Sequence, residues 1–113
     1  MSTMTEIATA GADQGTLHVA AGQTNPGAGW KYDATNKGLF IDVDTSSGGF
    51  GSTPVYVVSL QGAERQWATT GGCCVYFPTS RSFRVYVKYP NEPISEDDAV
   101  VGAWQVNWIG VSK

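Results

Sequence analysis

Apolar and polar positions alternate with a period of two in the last third of the chain. Over residues 83–89, Phe83, Val85, Val87 and Tyr89 fall on one side of an extended backbone and Arg84, Tyr86 and Lys88 on the other. Residues 104–111 repeat the pattern, with Trp104, Val106 and Trp108 opposite Gln105 and Asn107. Such alternation marks half-buried strands of an antiparallel sheet. The same reading predicts strands over 16–20, 39–44, 55–60 and 73–77. In the second of these, Leu39, Ile41 and Val43 oppose Phe40, Asp42 and Asp44. Pro54 opens the third, where a missing N–H removes no interior ladder bond.

Glycine, proline, asparagine and serine cluster between these runs. Residues 22–29, 31–38, 45–50, 61–72 and 78–81 read as loops and turns. The loop 22–29 ends at Trp30, whose ring is expected to cap one end of the core. Ser95-Glu96-Asp97-Asp98 has the spacing of a capping box with acids in the first turn, enough for one helical turn. Residues 1–14 are small and polar without a period and read as a flexible tail, leaving 15–113 as one domain. Six strands with turn signals every eight to twelve residues and no long helical pattern predict an all-β fold, an antiparallel sandwich or barrel.

Composition narrows the function. A chain of 113 residues supports a single core. Its formal charge is −3 and its seven Lys and Arg are scattered, so it lacks the basic patch that nucleic acid requires. No apolar run approaches the roughly 18–20 residues of a membrane helix. Residues 1–8 have neither a basic start nor an apolar stretch, so no signal peptide is expected in this chain. Cys73 and Cys74 are adjacent and would point to opposite faces of a strand, which makes a bridge between them strained. Two reduced thiols are expected, one packed inward and one outward; the alternative is a bridge between chains in an oxidising setting.

Catalytic signals are weak. His18 is the single histidine, and no partner motif supplies the nucleophile and orienting group that a triad needs. Asp42-x-Asp44-x-Ser46-x-Gly48 superficially resembles a calcium loop. The glycine and glutamate expected at its sixth and twelfth positions are Ser47 and Thr53, so solvent-facing acids are the default. Phosphate loops, zinc spacings and haem motifs are missing from the sequence. A non-catalytic binding module without cofactor or metal is expected.

The order of motifs resembles one family. Gly15-Thr-Leu-His-Val19 precedes a turn and Gly29-Trp30; Phe50, Pro54 and Val55-Tyr-Val-Val-Ser-Leu60 follow; Ser82-Phe83 opens a strand, and the chain closes in Val106-Asn-Trp-Ile-Gly-Val111. This is similar to the H-type lectin domain of snail agglutinins and slime-mould discoidins, over about residues 15–111. The resemblance implies a six-stranded antiparallel β-sandwich that assembles as a parallel homotrimer, with shallow glycan sites between subunits and an extracellular or cell-surface role. In that family sugar is held by the loop after the first tryptophan, where this chain offers Asp33 and Asn36. An arginine at the start of the fourth strand corresponds to Thr70–Gly72, with Arg65 and Trp67 just upstream. A tryptophan-histidine pair after the fifth strand corresponds to Tyr89-Pro90-Asn91. The expected ligand-binding residues are therefore Asp33, Asn36, Arg65, Trp67, Tyr89 and Asn91, and the expected partners are glycans or glycoproteins. The alternative expectation is a trimerising adhesion or structural tip domain that contacts protein partners. Trp104 and Trp108 are assigned to the core or the trimer axis rather than to a ligand.

Overall fold

Two hydrophobic stripes at period two need two facing sheets to bury them, and the computed structural model, which describes residues 16–113, builds these. The tail expected over 1–14 lies outside the described residues. Strand β1 is His18–Gln23, β2 Lys31–Asp33, β3 Gly38–Asp44, β4 Val55–Gln61, β5 Ser82–Val87 and β6 Gln105–Ser112. Two three-stranded sheets result, ordered β1-β6-β4 and β2-β3-β5, with every pairing antiparallel. One short helix, α1 at Glu96–Gly102, and 3-10 turns at Ser46–Gly48 and Gln66–Ala68 complete the described elements. The protein is mostly β, with little helix.

The inner faces supply the core. Leu39, Ile41 and Val43 from β3 and Phe83, Val85 and Val87 from β5 are buried against Tyr56, Val58, Val106 and Trp108 of the other sheet. The rings of Tyr56 and Phe83 lie 4.7 Å apart across the interface, and Trp108 meets Tyr56 edge-on at 6.2 Å. Trp104 is fully buried at the mouth of β6, edge-on to both Trp30 and Tyr89. Its indole N–H donates to the Glu64 carbonyl at 2.9 Å, while its own carbonyl accepts from the Trp30 indole at 3.2 Å. Aromatic bodies buried with their polar edges satisfied carry much of the stability of a core this small.

Most polar groups inside are paired as burial demands, the Gln66 Oε1 and Tyr89 hydroxyl oxygens excepted. Thr45 is completely buried; its hydroxyl meets the Tyr56 hydroxyl at 2.6 Å, and Tyr56 donates onward to the Thr79 carbonyl at 2.7 Å. That chain pins the turn after β3 to the turn before β5. In β1, Gly22 lies under Trp108, where a Cβ would stand 2.7 Å from the indole, so this strand carries glycine where the ring needs room.

Five sequence expectations are corrected. The run 73–77 is not a strand. Cys74 N–H donates back to Gly71 in a turn, Phe77 takes a left-handed backbone (φ 52°), and Pro78 follows, so only Tyr76 pairs, in a single bridge to Arg84. As a result Cys73 and Cys74 are both exposed, rather than one inward and one outward. Part of the expected polar loop 31–38 forms β2, paired with Gly38–Phe40 of β3. Strand β1 occupies His18–Gln23 rather than 16–20, and β5 stops at Val87, two residues short of Tyr89.

Candidate functional site

The expected ligand residues arise from three separate stretches of chain. After β2 the backbone reverses in a tight turn whose reversal is built by Asp33. One of its carboxylate oxygens accepts from the amides of Thr35 and Asn36 at 3.0 and 3.3 Å, and the other from the Asn36 side-chain amide at 2.7 Å. The Asn36 side-chain bond, ahead of the two amides, holds the Asp33 carboxyl below its usual range. Lys37 then takes a left-handed conformation (φ 55°) and leads into Gly38. Asp33 is thus spent on loop architecture, whereas Asn36 stands exposed at its tip.

Arg65 and Trp67 sit on the loop after β4. Arg65 has a left-handed backbone (φ 72°) and precedes the 3-10 turn that carries Trp67, whose side chain is 88% exposed. The Arg65 guanidinium donates to Asp98 at 2.7 Å. Asp98 in turn accepts from the Ser95 amide at 2.9 Å, the reach-back that the capping-box spacing predicted. Burial pushes the Asp98 carboxyl up, but the Ser95 amide, Arg65 and Tyr89 outweigh it and leave it below the ordinary value. Tyr89 packs into the core beside this pair, only 7% exposed, its buried hydroxyl without a hydrogen bond of good geometry. Burial, reinforced by the Asp98 charge, pushes that phenol up against the opposing pull of Arg65.

The fold brings Asn36, Tyr89 and Asn91 to one open cleft of about 560 Å³, together with Lys37 and Lys88. Asp33 adjoins it through Asn36, and Arg65 is near enough to Tyr89 to oppose the rise in its pKa. Trp67 and Arg65 do not line this cleft.

A second cleft, about 480 Å³, adjoins the first and was not expected. Asn36 and Lys88 line both. Its remaining wall includes Thr70, Gly71, Tyr76, Phe77 and Tyr86. Gly71 (φ 97°) is required here, because a Cβ would fall 2.5 Å from the Tyr86 carbonyl. The signal for this surface was the outward half of the alternation, Arg84 and Tyr86 on β5 and Lys88 just after it, beside Phe40 and Asp42 on β3. Arg84 donates to both Asp42 oxygens at 2.7 and 3.0 Å, and its guanidinium lies 4.2 Å over the Phe40 ring. The Asp42 bond raises the Arg84 pKa, and the same bond lowers that of Asp42. Tyr86 then meets Tyr76 edge-on at 4.9 Å.

Among the described residues no three His, Cys, Asp or Glu side chains gather where a metal ion would be held. The His18 ring nitrogen is bonded to the Gly48 carbonyl and its ring stacks edge-on with Phe50, so it is engaged at the end of the core. Models of protein families, curated proteins and solved structures were all compared with this chain, and none matches. Chemically, the paired clefts offer aromatic faces, side-chain amides, hydroxyls, two ammonium groups and the Glu92 carboxylate on an open surface. Such a set binds by stacking and hydrogen bonding.

Proposed function

We propose that this chain is a carbohydrate-binding, lectin-like module that works by binding rather than by turnover, as a multivalent homotrimer of H-type-lectin-like sandwiches. The observation that carries the reading is the convergence of Asn36, Tyr89 and Asn91 on one cleft from the β2–β3 turn and the segment after β5. Amides at its rim are suited to the hydroxyls of a sugar, and Tyr89 forms a rigid floor. Open clefts hold single ligands weakly, so avidity from several copies completes the logic.

The outer face of the β1-β6-β4 sheet supports self-assembly. Val19, Ala21, Val55, Val57, Ile109 and Val111 form a flat aliphatic area at one end. At the other end Gln23, Asn107 and Gln61 bond in a ladder across the three strands, at 2.6 and 3.0 Å. No outward residue of these strands is charged, although the chain carries a net −3. A face of this kind meets a second copy of itself without like-charge repulsion, and area this apolar gains by leaving water. A glycan array probed with the oligomeric protein tests the function: specific binding that Asn91→Ala abolishes supports it. Glycan-independent capture of a protein partner, with an empty array, would favour the adhesion-tip reading.

A further inference from the structure

The two clefts share Asn36 and Lys88, yet each has aromatic walls of its own: Tyr89 in one, Tyr76, Phe77 and Tyr86 in the other. Phe77 is the unusual member. It is 67% exposed, so no core packing holds it there, and its backbone lies in the left-handed region that phenylalanine rarely adopts. The single Tyr76–Arg84 bridge and the Thr79–Ser82 turn, closed by an amide-to-carbonyl bond of 2.8 Å, fix the chain on either side of it. Tyr76, itself partly exposed, is braced edge-on by Tyr86. The result is a stiffened aromatic wall standing over polar side chains. Tyr86 has its own support, since its hydroxyl accepts from Arg84 at 3.2 Å.

We propose that the two clefts form one groove for an oligosaccharide of at least two units, the first ring held near Asn36 and Asn91 and the second stacked on Tyr76 and Phe77, with Lys88 between them. This rests on the carbohydrate reading above. The chemistry fits a repeating saccharide because each pyranose presents an apolar C–H face beside a polar rim, and the groove alternates aromatic walls with amide, hydroxyl and ammonium groups. One ring would leave either the Asn91 side or the Phe77 wall unused.

The test is calorimetric titration of the oligomeric protein with galactose, glucose and N-acetylglucosamine oligomer series of one to four units. The expected result is an affinity gain of about tenfold between one and two units for the preferred series, the size of one aromatic stacking contact. Phe77→Ala is expected to erase that gain while leaving single-unit affinity and thermal stability unchanged, and Phe77→Trp to preserve it. Asn91→Ala is expected to weaken all lengths. Equal affinity for one and two units, with Phe77→Ala without effect, overturns the groove but leaves the carbohydrate reading standing. Absence of binding to every sugar by the intact protein overturns both.

Discussion

Arg84 of β5 spans the strand gap to Asp42 of β3 with a two-pronged bond, Nε to one carboxylate oxygen at 2.7 Å and Nη2 to the other at 3.0 Å. The two residues are direct cross-strand partners in the β3–β5 register, so the pair fastens the middle of the second sheet on its solvent side. It also keeps the guanidinium 4.2 Å over the Phe40 ring.

This pair and the Arg65–Asp98 pair contribute to the acid sensitivity of the fold, alongside Asp33 and Asp44 in their turns. Both carboxyl groups titrate below their ordinary values, Asp42 first through its Arg84 bond and Asp98 through Ser95 and Arg65 once its burial is overcome. A carboxylate with a depressed folded pKa stabilises above its unfolded pKa of about 4, and that contribution disappears as pH falls through the folded value. Thermal unfolding followed by circular dichroism should therefore show a melting temperature that is level near neutrality and drops below about pH 4. Asp42→Asn combined with Asp98→Asn should melt lower than the parent at pH 7 and converge with it in acid.

Four tryptophans divide sharply between two roles. Trp30, Trp104 and Trp108 are buried, while Trp67 stands in solvent. Iodide should quench one component of the fluorescence, and Trp67→Phe should remove that component without lowering stability. Trp104→Ala, by contrast, leaves a large void and an unpaired Glu64 carbonyl, and should cost about 3–5 kcal/mol in urea unfolding.

Gly22 provides a complementary check on packing. Its Cβ position is filled by the Trp108 ring, so Gly22→Ala must displace the indole. A loss of about 1–3 kcal/mol is expected from such overpacking, read by chemical denaturation. A change within experimental error would mean that Trp108 does not rest on β1.

The uncharged outer face of the first sheet should govern assembly. Val57 and Ile109 sit opposite one another in the β4–β6 register and are both exposed in the single chain. Val57→Lys with Ile109→Lys should give a folded monomer by native mass spectrometry, where the parent is expected to give the proposed trimer. An unchanged mass in the double variant would place the interface elsewhere.

Much of this fold was legible in the sequence because burial writes itself as alternation. Leu39, Ile41 and Val43, and Trp104, Val106 and Trp108, point inward as their spacing demands. Strand β2 was not legible: three residues, Lys31, Tyr32 and Asp33, are too few to show a period, and their pairing is decided by the turn at Lys37 and Gly38. The run from Cys73 to Phe77 misled for the opposite reason. Its composition suits a strand, but a left-handed Phe77 and the following proline end the pairing, and nothing in the residue type announces that backbone. The site was legible only in part. Asn36 and Asn91 have no periodicity to mark them, and their meeting depends on two distant turns, whereas Tyr89 continues the inward face of β5 as the alternation over 83–89 implied. Tyr76 and Phe77 went unnoticed because a strand there would have placed them on opposite faces.

On the proposed function, a glycan occupies the cleft between the β2–β3 turn and the segment after β5. Titration of isotopically labelled protein with its strongest array ligand, followed by amide chemical shifts, tests this most directly. Saturable shifts are expected to concentrate at residues 36–38 and 88–91 and to spread to 76–77 with longer saccharides, with little change across the β1-β6-β4 sheet. Shifts confined to the Trp67 loop, or no saturable shift at millimolar sugar, would contradict the proposal.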